Sequence, residues 1–564
     1  MKTQLQHGVS AQALARPAAT AVAWRTERMS YGTLEVESNR LAQLLIDTGC
    51  KRGDRIALFM PKLPAAIVGM LGVLKAGATY VPLDPADPAS RLARVLKAAD
   101  CRWILCAGPV SGSLRAALME AQLTDAPLIG WLDDDDTAAD RAGAVFTRRD
   151  LDAFPTETPP TENTEADIAQ ILFTSGSTGT PKGVMITHGS VVQFVEWGRR
   201  YFEITPDDKV SQHAPLRFDI STFDVFGALW SGAALHLVPP DLNLLPHKLA
   251  HFIRTDRLTQ WFSVPSVLNL MAKFDVLRDH DFPSLKRVLF AGEVLPTPTL
   301  MYWMKRLPHV RFTNLYGPTE TTISSSHYTV PACPTSEQQP IPIGTACAGE
   351  ELLLLDEQRN PVADGDIGEI YIRGVGVSPG YWRDPVKTQG AFLGDARNGG
   401  RIYKTGDLGR RGADGLLYFC GRADTQIKSR GYRIELGEIE SALNALPEVR
   451  ESAVVAIASG GFEGTLICCA YSPAPNQDLS TKRLRTLLCE RLPQYMVPVR
   501  WSRYDELPKN HNGKTDRASI KLKFETLEDA HGSAAPRVKG SVTEIRRPGQ
   551  RRADVATHAR EVNQ

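Results

Sequence analysis

Between residues 11 and 110 the chain alternates helix-like with strand-like runs, and this alternation limits its fold more than any other feature. Leu41–Leu45 carries a helical pattern, Arg55–Met60 an extended apolar one, Ile67–Leu74 a helical one again, and Tyr80–Leu83 an extended one closed by Asp84-Pro85. Successive strand, helix and strand bury their apolar faces best when parallel strands are covered by helices on both sides. Further strand-like runs follow at Ala169–Thr174, Ala234–Val238, Arg287–Ala291, Glu351–Leu355 and Glu369–Arg373. The expected class is α/β, a large layered N-terminal domain with parallel-rich sheets.

After Gly421 the texture changes. A charged, turn-rich segment from Arg422 to Arg433 precedes a helix at Leu436–Leu446, strands at Ser452–Ala458 and Leu466–Tyr471, and a helix at Thr481–Arg491. That order reads as a small α+β domain. The expected division is 1–423 for the large domain, 424–526 for the small one and 527–564 for a disordered basic tail, where Ser, Gly, Pro and Arg accumulate without periodicity. Trp131 to Gly143, with aspartates at every position from Asp133 to Asp136, reads as a solvated acidic loop and lacks EF-hand spacing.

Length and charge exclude whole classes of function. A chain of 564 residues can bury several cores and is no disulfide-stapled miniature scaffold. Its 65 Lys and Arg against 64 Asp and Glu leave a net charge of +1, so no global field recruits nucleic acid or an anionic membrane. A charged ligand must be held by a local site. Nine cysteines, with Cys468 and Cys469 adjacent and no Cys-x-x-Cys pair, fit a reduced, cytoplasmic protein. Met1 to Ala23 contains no apolar run of signal-peptide length, and the most apolar window, Ala65 to Leu74, reads as buried helix rather than a membrane span.

A local site is visible at Phe173-Thr174-Ser175-Gly176-Ser177-Thr178-Gly179-Thr180-Pro181-Lys182-Gly183, which follows an apolar strand and precedes a helix-compatible run. Gly176 and Gly179 let backbone N–H groups turn toward one point, the Ser and Thr hydroxyls add donors, and Lys182 adds a cation, a set that suits a polyphosphate. It is not a Walker loop, because Pro181 precedes Lys182 and Gly183 follows it. Gly513-Lys514-Thr515 fails as well, with Pro508 where the leading glycine belongs, and Gly374 to Gly380 lacks the last spacing of a Rossmann fingerprint.

Further motifs accompany this loop in order. They are Leu74-Lys75-Ala76-Gly77-Ala78-Thr79-Tyr80-Val81-Pro82-Leu83-Asp84-Pro85, Phe218-Asp219-Ile220-Ser221, Asn314-Leu315-Tyr316-Gly317-Pro318-Thr319-Glu320-Thr321-Thr322 and Tyr403-Lys404-Thr405-Gly406-Asp407. Gly421-Arg422-Ala423-Asp424-Thr425-Gln426-Ile427-Lys428-Ser429-Arg430-Gly431-Tyr432-Arg433-Ile434-Glu435 and Asn512-Gly513-Lys514-Thr515-Asp516-Arg517 complete the set. From Tyr31 to Arg517 the chain thus resembles the amino-acid-activating adenylation domains of nonribosomal peptide synthesis, in the superfamily of acyl-CoA synthetases and luciferases.

The resemblance implies the adenylate-forming fold with a mobile small domain, and a carboxylate that attacks the α-phosphate of ATP with Mg²⁺ present. It implies Thr174, Ser175, Gly176, Ser177, Thr178, Gly179 and Lys182 at the phosphates, Tyr316 stacked on adenine, and Thr319 near the α-phosphate. It further implies Glu320 as the Mg²⁺ ligand, Asp407 on the ribose hydroxyls and Arg422 beside ribose and phosphate. Lys514 matches the lysine that bridges substrate carboxylate and ATP, and Asp424 the hinge about which the small domain turns between half-reactions. Lys404 stands where the family usually has arginine.

Asp219 matches the aspartate that pairs with an α-ammonium group, so an amino acid is favoured over an aryl or fatty acid, for which a buried carboxylate would lack a partner. The remaining pocket positions are Ile220, Phe223, Phe262, Leu289, Ala291, Leu315, Ile323 and Ser324. This apolar set, narrowed by two phenylalanines, selects a small aliphatic side chain and looks most like freestanding L-proline activators, with alanine and valine as alternatives. No phosphopantetheine attachment motif follows Arg517, so the acceptor is expected to be the phosphopantetheine thiol of a separate peptidyl carrier protein. Coenzyme A is the alternative, and Asp219 with Gln426 to Gly431 favours the carrier. The joint presence of Lys182, Glu320, Asp407 and Lys514 argues against an inactive scaffold. The Arg546-Arg547 and Arg551-Arg552 pairs read as solvated tail rather than a nucleic-acid site, and the motifs carry no statement about oligomeric state.

Overall fold

The structure, a computed structural model, describes residues 4–133, 143–176, 181–243, 245–395, 399–458, 464–475, 477, 479–510 and 514–532. Two large sheets form its body. The first runs, edge to edge, through Ala144–Phe146, Leu128–Trp131, Trp103–Cys106, Arg55–Phe59, Thr79–Leu83, Ile168–Thr174 and Lys182–Thr187, parallel except for the last pair. Arg55–Phe59 and Thr79–Leu83 are almost wholly buried, which is why they read as continuous apolar runs rather than alternating ones.

The second sheet has six parallel strands, Thr20–Trp24, Ala234–Leu237, Lys209–Gln212, Gln260–Ser263, Arg287–Ala291 and Arg311–Tyr316. Antiparallel strands cap it at both edges. Both sheets feed one core with the helices Tyr31–Asp47, Pro64–Lys75 and Asp219–Trp230. The apolar window Ala65 to Leu74 lies in the second of these helices, buried from Ala66 onward. Among the described residues no helix is long and apolar enough to cross a membrane.

A third sheet, antiparallel, joins Glu350–Leu355, Ile367–Gly374, Arg401–Arg411, Phe392–Gly394 and Leu417–Arg422. Beyond it, the strands Val449–Ala458, Thr465–Pro473 and Arg500–Arg503 carry the helices Leu436–Asn444, Thr481–Cys489 and Arg517–Gly532 around separate small cores.

The structure departs from expectation in three places. The run after the phosphate loop is a strand, Lys182–Thr187, because Val184 and Ile186 bury on alternate positions against Ile168–Thr174, and the helix begins only at His188. The charged segment from Arg422 to Arg433 contains a hairpin, Gln426–Ser429 against Tyr432–Glu435. Its two-residue turn, Arg430-Gly431, has φ of +54° and +79°, the primed geometry that matches strand twist. The helix Arg517–Gly532 runs past residue 526, anchored by Ile520 and Phe524 in the small-domain core, so the tail does not begin at 527. Residues 134–142 of the acidic stretch and 533–564 of the tail, with both arginine pairs, lie outside the described residues.

Candidate active site

A cleft opens where several strands end. Thr174, Ala291 and Tyr316 terminate three parallel-sheet strands, and Asp219 opens the buried helix Asp219–Trp230. Ligands of α/β sheets bind at such carboxyl ends, where loops meet a helix N-terminus. The hairpin that carries Gly431 closes the cleft from the small-domain side.

Thr174 and Ser175 line the cleft, and the Thr174 hydroxyl is shut off from solvent with no hydrogen-bond partner among the described residues, at the expected phosphate position. Ser175 Oγ donates to the Arg433 carbonyl at 2.6 Å. Ser177, Thr178 and Gly179 lie outside the described residues. Lys182 sits 5.4 Å from the Tyr381 ring centre and 3.9 Å from Glu435, and burial foremost lowers its ammonium pKa.

Asp219 faces the cleft at the first turn of its helix, and no ion pair neutralises it among the described residues. Burial pushes its carboxyl up to about 6, against hydrogen bonds from the Thr319 hydroxyl and the Ile220 N–H. A cation brought into the cleft would restore the ionised form. Ile220 and Ala291 line the cleft, while Phe223, Phe262, Leu289, Leu315 and Ile323 pack behind them in the same apolar core. Phe223 meets Phe262 edge-on at 6.4 Å between ring centres. Ser324 is buried, its hydroxyl without a partner among the described residues.

Glu320 is fully buried. Its Oε1 accepts from the Tyr381 hydroxyl at 2.8 Å and its Oε2 from Arg433 Nη1 at 2.6 Å. Burial opposes ionisation, but Arg433 and Lys182 outweigh it and hold the carboxyl down at about 2. Among the described residues no three His, Cys, Asp or Glu side chains gather into a metal site. A lone ionised carboxylate suits Mg²⁺, which takes most of its ligands from water and phosphate, and Glu320 fits that role once Arg433 withdraws.

Asp407 is buried, accepts from the Tyr316 hydroxyl at 2.7 Å and pairs with Arg422. The Tyr316 ring does not line the cleft but is buried in a separate apolar cluster, with Lys428 5.7 Å from its centre. Arg422 also holds Asp424, whose Oδ1 lies 2.7 Å from Arg422 Nε, where the third sheet gives way to the hairpin.

Lys514 is not brought to the cleft. It is exposed on its loop, tied through its backbone to Asn510 at 2.7 and 3.1 Å. The cleft instead receives Lys428, Gly431 and Arg433. The Gly431 N–H donates to Glu293 at 2.7 Å, and a Cβ on Gly431 would stand 2.6 Å from Val264, so only glycine fits there.

These features describe a charged cleft faced by a buried carboxyl that has no ion-pair partner among the described residues. A model of the AMP-binding enzyme family matches residues 9–382, and one of the AMP-binding enzyme C-terminal domain matches residues 438–514. The chain belongs to the AMP-binding enzyme family. It is 37% identical over 534 residues to an L-proline–[L-prolyl-carrier protein] ligase of Streptomyces coelicolor, covering 92% of this chain and 96% of that one. It is 34% identical to a protein of the same name from Pseudomonas fluorescens, covering 93% and 100%. Its fold matches the Vibrio cholerae adenylation domain AlmE, solved with glycyl-adenosine-5'-phosphate, with a TM-score of 0.81, 27% identity and coverage of 93% and 98%.

Within this AMP-binding enzyme, sequence reasoning gave no role to Arg433, Glu293 or Tyr381. Arg433 was visible inside the quoted Arg430-Gly431-Tyr432-Arg433 run, but its partner Glu320 is 113 residues away. Glu293 and Tyr381 carried no motif signal.

Proposed function

We propose that this AMP-binding enzyme activates a small apolar α-amino acid, L-proline first, as its aminoacyl adenylate and passes the acyl group to the phosphopantetheine thiol of a carrier protein. The observation that carries this reading is the Asp219 carboxylate, set in the cleft beside an apolar wall with no ion-pair partner among the described residues, Lys428 acting on it only at longer range. The names of the Streptomyces and Pseudomonas relatives support proline and a carrier as substrates.

In the first step a substrate carboxylate oxygen attacks the α-phosphorus of ATP and pyrophosphate leaves. Asp219 holds the ammonium group, Ile220 and Ala291 bound the side chain, and Thr174, Ser175 and Lys182 hold the phosphates. Asp407 accepts from the ribose hydroxyls. Mg²⁺ bound through Glu320 would neutralise phosphate charge. In the second step the thiol attacks the acyl carbonyl and AMP leaves. Rotation of the small domain about Asp424 would exchange Lys514, needed where charge builds between carboxylate and phosphate, for the Gly431 hairpin, whose missing side chain lets it close against Val264 at the cleft. An arrangement with Gly431 inside and Lys514 outside is the one the second step would use. We place the domain boundary at Asp424. None of the nine cysteines is in a disulfide, which suits a reducing compartment.

Incubation with ATP, Mg²⁺, L-proline and a holo carrier protein tests the reading by intact mass. A carrier heavier by one prolyl group supports it; loading of coenzyme A in preference to the carrier overturns the acceptor.

A further inference from the structure

Behind the apolar wall lies a second, small cavity, lined by Phe194, Thr322, Ser324, Cys347, Glu350 and Gly376 among others. Two polar atoms there are closed off from solvent without a partner among the described residues, Glu350 Oε2 and Ser324 Oγ. Glu350 opens the strand Glu350–Leu355, in register with Gly374. Its Oε1 accepts from the Gly376 N–H at 2.7 Å, and the Gly376 carbonyl accepts from Thr322 Oγ1 at 2.7 Å. Backbone wraps the carboxyl closely: a Cβ on Gly376 would stand 2.8 Å from Oε1.

The far end of this short relay is unusual. Thr322 and Ile323 have φ of +58° and +71°, a left-handed conformation that two successive β-branched residues adopt only when their surroundings impose it. Both are buried, and Ile323 and Ser324 are the last two positions of the amino-acid wall.

We propose that Glu350 is a positioning residue for amino-acid selection, holding the left-handed Thr322–Ile323 pair through Gly376 and so setting the depth of the side-chain pocket. The inference rests on the reading that Ile323 and Ser324 bound the substrate side chain. Burial pushes the Glu350 carboxyl up to about 8, so at neutral pH it is uncharged and tolerates an unpartnered oxygen. The titratable groups on its side of the cavity are the Cys347 thiol, itself raised by burial and by Glu350, and His327, 3.8 Å from Cys347 Sγ. The other end of the Gly374–Ser378 loop is anchored separately: Ser378 Oγ donates to the Met185 carbonyl at 2.6 Å, and its N–H to the Glu320 carbonyl at 2.9 Å. Loss of Glu350 therefore loosens the amino-acid wall more than the nucleotide side.

The test is amino-acid-dependent pyrophosphate exchange with the unmodified enzyme, Glu350→Gln, Glu350→Ala, Thr322→Val and the Ala/Val double variant, measuring KM for amino acid and for ATP and the preference between the best substrate and its nearest competitors. Glu350→Gln keeps the acceptor oxygen and should stay close to the unmodified enzyme. Glu350→Ala and Thr322→Val should each raise the amino-acid KM about fivefold to tenfold and narrow the preference, with the ATP KM nearly unchanged. The double variant should be little worse than either single one, because both break the same relay. Unaltered selectivity in Glu350→Ala and Thr322→Val, equal rises in both KM values, or a Gln variant as impaired as the Ala variant overturns the proposal. If Glu350→Ala does not fold, Thr322→Val decides alone. Intact exchange with unchanged selectivity defeats this inference only, whereas no amino-acid-dependent exchange in the unmodified enzyme defeats it together with the proposed function.

Discussion

The two sides of the cleft are built differently. On the large-domain side, Thr174 stands at a strand end, Asp219 at a helix start, Glu320 in a short turn of 3-10 helix and Asp407 within a sheet, backed by a core of buried residues. On the small-domain side many of the contacts are polar, among them Arg433 on Glu320, Ser175 on the Arg433 carbonyl, Gly431 on Glu293, and Arg91 3.6 Å from Glu438, beside an edge-on contact of Phe218 with Tyr432. Arg217 adds a cation beside the stacked Tyr432 and Tyr495 rings, 5.6 and 5.7 Å from their centres. A fixed wall binds substrates in one geometry, while a face held by replaceable polar contacts can be exchanged for another. The contrast supports one site serving two successive reactions.

The sharpest way to break this comparison is Lys514→Ala. It should lower adenylate formation by ~10²–10³-fold, the usual cost of removing a transition-state charge partner, yet leave transfer from supplied aminoacyl adenylate largely intact. Equal loss in both half-reactions, measured separately on folded protein, would show that the small domain does not alternate. On the fixed wall, Asp219→Ala should cost about 10²-fold in amino-acid activation while nucleotide binding by calorimetry persists. Arg433→Ala probes the exchangeable side. Adenylation should survive and carrier loading slow by about tenfold, since one charge-assisted contact is lost only in the docked arrangement. The smallest effect is on pH. A carboxyl raised to about 6 is neutral below that value and cannot pair with an ammonium, so the amino-acid KM should climb as pH falls from 7 to 5, by up to about tenfold. A flat profile contradicts the assignment of Asp219.

The same contrast explains what could be read in the sequence. Strands such as Arg55–Phe59 and Thr79–Leu83 were legible because burial on both faces leaves continuous apolar runs. Lys182–Thr187 was not, because a short apolar run after a glycine-rich loop suits either helix or strand until its partner strand is known. Site residues carried by motifs were named in advance, and the structure gathers Asp219, Thr319 and Asp407 into one cleft from well-separated positions. What the motifs did not carry was the pairing between domains. Arg433 on Glu320 and Gly431 on Glu293 depend on how the small domain sits, and no local pattern encodes that orientation. Glu350 was missed for a related reason. A carboxylate at the start of a strand reads as surface until the backbone of Gly374 and Gly376 is seen to close over it.

The central claim is that the cleft activates a small apolar α-amino acid held by Asp219. Its most direct test is ATP–pyrophosphate exchange across the common amino acids, benzoate and a fatty acid, run in parallel on the unmodified enzyme and Asp219→Ala. The account predicts strongest exchange with L-proline, well above phenylalanine, glutamate and lysine, and loss of that exchange in the variant. Preference for benzoate, a fatty acid or a charged amino acid, or full proline exchange in Asp219→Ala, would contradict it.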